Sequence, residues 1–177
     1  MPDEYPEKLE FCYWGNPILR KKAVTVENPD SEDTAEFIRK MRKKLDEHDG
    51  LGLAANQVGC DRRVCLIAFP EKGGFSEIQP LINPKIIESG DEIERKEEGC
   101  LSFPGLYCEI DRPKSIKVTA YFPGEGEKTF EAFDILARII CHEVDHLNGI
   151  LFIDHLSQMR RSLIKKELRQ IADKYGK

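Results

Sequence analysis

The sequence predicts an α+β fold in which antiparallel β-sheets pack around a central helix, with one more helix in the N-terminal half and another at the C-terminal end. Two observations carry this reading. Apolar residues recur at helical spacing in three separated stretches, and between the first two lie a short continuous apolar run and a strictly alternating segment. Strands gathered between helices, rather than alternating with them one by one, favour α+β over a parallel doubly wound sheet. The 177 residues suit one catalytic-size domain, 1–177. No repeat or low-complexity linker divides them.

From Asp33 to His48 the residues Phe37, Met41 and Leu45 fall every fourth position among charges, which describes an amphipathic helix closed by Gly50. Val64 to Phe69 is nearly all apolar and stops at Pro70, so it reads as a strand. Ile116, Val118, Ala120 and Phe122 alternate with polar residues, and Phe130 and Ala132 answer them across a turn at Gly124 to Glu127, giving an antiparallel hairpin. Asp134 is placed to N-cap a helix over Ile135 to Leu147, with Gly149 beyond its end. Ser157 could cap a last helix carrying Leu163, Ile164, Leu168 and Ile171.

Composition excludes several classes. With 40% hydrophobic and 33% charged residues the chain is ordinary globular material. A net charge of -5, with basic runs broken by acids, argues against sequence-specific nucleic-acid binding. The start, MPDEYPEKLEF, lacks a basic region followed by an apolar run, and no stretch of about 18 apolar residues occurs, so a soluble, unsecreted, cytoplasmic protein without a membrane partner is expected. Of the 6 cysteines, Cys12, Cys60, Cys65, Cys108 and Cys141 carry no motif, and packing is their default role.

The Ile135 to Leu147 segment carries chemistry. Leu136, Ile140, Val144 and Leu147 form one apolar stripe, while Ile135 and Ile139 lie near the opposite face at about 100° per residue. Such a helix is buried. It contains HEVDH, which sets His142 and His146 one turn apart, Cβ atoms about 6 Å from each other, so that both rings can meet one ion. Glu143, rotated about 100° from His142, suits a general base acting on water. Burying these groups without partners would cost several kcal/mol, which a cation offsets. Asp145 is either a helix-surface acid or a residue that orients a ligand imidazole.

A catalytic site of this kind needs a third protein ligand. The longer HExxHxxGxxH pattern would place it at position 152, where Phe152 cannot serve. Glu167, among Lys165 and Lys166, reads as a solvated ion pair, and His155 as a partly exposed ring beside Asp154. Cys100, in the turn-rich EEGCLSFPG, would complete a Cys/His/His set, although a cysteine there is by default a packed thiol.

Three segments together resemble the peptide deformylase family: GLGLAANQ at Gly50 to Gln57, EGCLS at Glu98 to Ser102, and HEVDH at His142 to His146. The resemblance implies that Cys100, His142 and His146 hold the metal and that Glu143 carries the proton. It implies that Gln57, through its side-chain amide, and Leu101, through its N–H, face the oxygen of the substrate formyl group. Backbone groups of Leu51, Gly52 and Gly99 would pair with an extended peptide. From the residues themselves, Ile135 and Ile139, with Leu51, either line an apolar pocket for an unbranched side chain or pack in the core. The implied reaction removes the N-formyl group from N-formylmethionyl peptides emerging from ribosomes.

The donor set accepts Fe(II), Zn, Co or Ni, and the resemblance points to one Fe(II) first. One departure stands out: Asn56 precedes Gln57 where the family commonly has Pro, which would loosen that loop or bond locally. GLGLAA also superficially matches a dinucleotide-binding turn, but a charged helix rather than a strand precedes it, and Gly59 and Asp61 interrupt any helix after it. The rival readings are a zinc endopeptidase using Glu167 or His155 and a protein with a structural zinc.

Overall fold

A computed structural model describes residues 3–176. The first helix, α1 (Glu32–Asp46), is N-capped by Ser31, whose side chain accepts from the Thr34 N–H. It buries Thr34, Phe37, Met41 and Leu45. Each large apolar side chain so buried contributes roughly 1.5–3 kcal/mol.

Five antiparallel strands, β1 (Gly52–Ala54), β2 (Val64–Glu71), β3 (Gly74–Ser89), β6 (Ser115–Phe122) and β7 (Gly126–Phe133), form a sheet in the order β1-β2-β3-β6-β7. A second sheet of 2 strands pairs β4 (Ile93–Gly99) with β5 (Tyr107–Pro113). The expected hairpin is β6–β7, closed by Phe122↔Gly126.

β2 is buried on both faces, which explains its unbroken apolar run. Cys65 and Ile67 face α2 (Asp134–Leu147) in one core with Ile140, Val144 and Leu147. Val64 and Leu66 face α1 in a second core with Phe37, Met41 and Leu45. A third core joins Cys108 and Ile110 of β5 to Phe103, Phe152, Leu168 and Ile171.

Two local expectations are corrected. Asp134 does not cap α2: Phe133 occupies the N-cap position, and no side chain caps the helix. β7 runs straight through Phe133, which pairs with Ser115, and the chain turns at Asp134 itself, with φ 50° and its N–H bonded to Lys114 O at 2.7 Å. Aspartate tolerates that left-handed backbone better than most residues. The C-terminal helix is two helices, α3 (Gln158–Leu163) and α4 (Lys165–Tyr175), with Ile164 between them at φ -92° and ψ 6°. Ser157 caps only α3, and Leu163 is left exposed while Leu168 and Ile171 are buried. Gly149 follows α2 with φ 73°, and a Cβ there would run into the Arg20 carbonyl.

Candidate metal centre

α2 brings His142 and Glu143 to the wall of a cleft of about 600 Å³. The rings of His142 and His146 stand 5.0 Å apart. Cys100, just past the end of β4, brings Sγ to 3.2 Å from His146 Nε2. One ligand atom from each of Cys100, His142 and His146 lies within 4.8 Å of the others. Neither Glu167, exposed on α4, nor His155 belongs to this group. Phe152, at the position a longer zinc-protease pattern would give to histidine, packs 6.0 Å from the His142 ring instead.

The outer nitrogen of His142, Nδ1, meets Glu98 Oε2 at 3.1 Å, so its Nε2 is the free face. Glu98 sits at the centre of a buried ionic cluster. Arg112 grips it twice, at 2.9 and 3.1 Å, and Arg138 once, at 2.8 Å. Burial alone would raise the Glu98 carboxyl, but the His142 and Arg112 bonds outweigh it and hold it well below the usual carboxylate range. Arg112 reaches on to Asp145 Oδ2 at 2.5 Å, which also meets His155 Nε2 at 2.7 Å. Asp145 is thus neither a bare surface acid nor a direct partner of a ligand ring; two residues, Arg112 and Glu98, separate it from His142. His155, partly exposed, pairs with Asp145.

Burial opposes a charge on both rings. At His142 the Cys100 and Glu98 contacts overcome it and raise the pKa, whereas at His146 burial and then the nearby His142 lower it.

Glu143 lies beside Gly52, where any Cβ would collide with its carboxylate, so this glycine is required by close approach. Its Oε2 is buried with no hydrogen-bond partner. Burial pushes the Glu143 carboxyl up to about 7; Glu98 adds to that push, and His142 and Arg112 oppose it. Gln57 Oε1 accepts from the Ala54 N–H at 2.8 Å, which fixes the amide and turns Nε2 toward Ser102 Oγ (3.3 Å) and Cys100 Sγ (3.5 Å). Leu51, Gly52, Gly99, Leu101, Ile135 and Ile139 all line the cleft. Asn56 neither loosens its loop nor bonds locally: it is buried, and Nδ2 donates to His146 O at 2.5 Å.

Glu98, Arg112, Arg138 and Ser102 received no role from the sequence. The alternation of Cys108, Ile110 and Arg112 along β5 was the available signal for the arginine, since it assigns Arg112 an inward position.

The sequence profile described as polypeptide deformylase matches residues 8–162. The chain belongs to the peptide deformylase family. Among the family's curated members, that of Agrobacterium fabrum is 37% identical over 157 residues, covering 89% of this chain and 92% of the relative. That of Thermotoga maritima is 42% identical over 160 residues, covering 90% and 93%. A plant peptide deformylase crystal structure superposes with TM-score 0.87 at 32% identity, covering 98% of this chain and 94% of the other.

The chain is therefore a hydrolase that removes the formyl group from N-formylmethionyl peptides and releases formate. It is a metal-dependent enzyme, and the donor set fits that requirement: one thiol and two imidazoles converge, and a buried carboxyl oxygen without a partner stands beside them. No helix among the described residues is long and apolar enough to cross a membrane.

Proposed function

We propose that Cys100, His142 and His146 hold one divalent ion, Fe(II) in the cell, with Zn, Ni or Co as workable substitutes, and that Glu143 moves the proton in deformylation. The convergence of the sulfur and two imidazoles within 4.8 Å carries this reading. When bound, the ion supplies an acidified water and a Lewis acid for the formyl oxygen.

The chain's own residues do the rest. Glu143, its carboxyl pushed up to about 7, takes a proton from the attacking water and delivers it to the departing nitrogen. Gln57 Nε2, held by the Ala54 bond, and the Leu101 N–H donate to the oxygen as it gains charge; loss of one such donor typically costs about 3 kcal/mol in the transition state. Glu98, kept ionised by Arg112 and Arg138, accepts the His142 Nδ1–H and so keeps Nε2 facing the site.

The peptide enters between two strand edges. β1 is the end strand of its sheet, and β4 is paired only with β5 among the described residues. Backbone groups of Leu51, Gly52 and Gly99 on those edges suit an extended chain. Ile139, buried, and Ile135, at the rim, form with Leu51 an apolar wall for an unbranched side chain. Nascent chains at the ribosome, in the cytoplasm, are the natural source of such peptides, and residues 1–177 act as one catalytic domain.

Glu143→Ala is expected to keep its metal and lose nearly all turnover of a formyl-peptide, while Cys100→Ser loses metal. Normal turnover in the first, or full metal content in the second, would refute the assignment. Iron in the active site predicts activity lost in air and preserved after Co or Ni substitution; equal survival of freshly isolated enzyme with and without oxygen would exclude iron. A casein assay with no cleavage separates this reading from an endopeptidase.

A further inference from the structure

The two histidines differ in what stands behind them. His142 presents Nδ1 to Glu98. His146 turns Nε2 toward Cys100, and its Nδ1 is buried with no partner. A histidine that gives Nε2 to a metal must carry its proton on Nδ1, and a buried N–H left alone costs about 1–3 kcal/mol. Ligand histidines almost always donate that hydrogen to an acceptor.

One unmatched acceptor belongs to a residue already tied to His146. Asn56 is buried, its Nδ2 donates to His146 O at 2.5 Å, and its Oδ1 is buried with no partner. The His146 carbonyl already receives the Gly149 N–H at 3.0 Å, so the Asn56 bond adds to a closed helix end rather than completing an open one. An orphaned donor and an orphaned acceptor thus sit on two residues in direct contact. Neither atom reaches a protein group among the described residues, and each is of the kind that a buried water commonly satisfies.

We propose that Asn56 is a positioning residue for His146: its Nδ2 holds the last turn of α2 at the His146 carbonyl, and its Oδ1, through one buried water, accepts the His146 Nδ1–H and fixes the ring with Nε2 toward Cys100. The two ligand rings are then oriented by unlike devices, a carboxylate behind His142 and a neutral amide behind His146. This rests on the reading of His146 as a ligand.

The test uses the full-length protein loaded with zinc and carrying ring-nitrogen-labelled histidine. Wild type is expected to show two slowly exchanging imidazole N–H signals, His142 on Glu98 and His146 on the Asn56 water. Asn56→Ala should lose the His146 signal, keep that of His142, and surrender metal to a chelator on the order of 10–100-fold faster. Asn56→Asp, nearly isosteric, keeps an oxygen at the Oδ1 position but loses the N–H that Nδ2 gives the His146 carbonyl, so it should retain the His146 signal while releasing metal at a rate between those of wild type and Asn56→Ala.

Rapid exchange of the His146 N–H in wild type overturns the proposal, as does its loss from the aspartate variant. A lower melting temperature in Asn56→Ala with signal and metal release unchanged would make the residue a structural tie only, and also overturns it. Full metal retention in His146→Ala would instead remove the ligand assignment beneath it, a result the Asn56 variants cannot mimic.

Discussion

Replacing Glu98 by glutamine tests the buried ionic cluster that stands behind His142. The carboxylate accepts four hydrogen bonds: at Oε1 from Arg112 Nε and Arg138 Nη1, at Oε2 from Arg112 Nη2 and His142 Nδ1. Glutamine can keep one oxygen, and it must place an NH2 at the other. Wherever the NH2 lies, two donors face a donor, and the carboxylate charge shared by both arginines is gone, leaving Arg112 with Asp145 alone, in a site where Glu98 and Arg112 side chains are 5% and 4% exposed.

Two bonds to charged groups at about 1.5–3 kcal/mol each give roughly 3–6 kcal/mol, which overlaps the usual cost of about 3–5 kcal/mol for removing one partner from a buried pair. Urea unfolding of metal-free Glu98→Gln should therefore show a loss near 3–5 kcal/mol with the slope unchanged. The metal-loaded form should also release its ion on the order of 10–100-fold faster, because the His142 ring is no longer held. A stability loss below about 1 kcal/mol, together with unaltered metal release, would refute the argument that this cluster orients the ring.

Three further outcomes follow from single contacts. Gly52→Ala places a methyl against the Glu143 carboxylate; kcat/KM should fall by about 10–100-fold with metal content unchanged, and undiminished turnover would show that Glu143 is not held where it must act. In metal-free protein near pH 8 an alkylating reagent should modify Cys100 first, since it is partly exposed, whereas the other five thiols are buried and burial raises their pKa values, to about 11 at Cys60 and at Cys141. Peptide masses read the site, and comparable labelling of Cys12 or Cys108 would contradict it. Asp154, despite partial burial, is held below the ordinary carboxylate value by Arg20 and the Leu151 N–H. Its contribution is present above the unfolded pKa of about 4 and fades as pH falls through the lower folded value, so Asp154→Asn should be less stable than wild type at neutral pH and converge with it in acid. A gap that persists in acid would contradict this.

What the sequence disclosed depended on how local the determining contacts are. HEVDH is legible because its geometry is closed within one helical turn: once α2 forms, His142 and His146 face one point whatever surrounds them. β2 and the β6–β7 hairpin are legible because burial on two faces or on one stamps a run or an alternation on the chain. β3 and β4 left no such mark. β3 carries Pro80 and Pro84 inside a strand paired on both sides, and it tolerates Pro84 because the register shifts between Ile82 and Lys85, where Asn83 takes φ 52°. β4 reads IERKEEG, and only Glu98 of it is buried.

The ionic cluster behind His142 is the extreme case. Glu98 meets Arg112, Arg138 and His142 across 14, 40 and 44 residues. A buried carboxylate looks, in sequence, like any of the exposed acids beside it, and only pairing of β4 with β5 and the approach of α2 reveal that its charge is balanced. Cys100 posed the same problem at 46 residues from His146, and family resemblance, not local pattern, resolved it. Asn56 had no such aid: its side chain acts 90 residues away on the same helix end. The proposed ligands belong to local or family motifs, but the groups that contact them from behind are recruited by the tertiary fold, so those groups are where a sequence reading stops and where substitutions should alter metal retention without touching a proposed ligand.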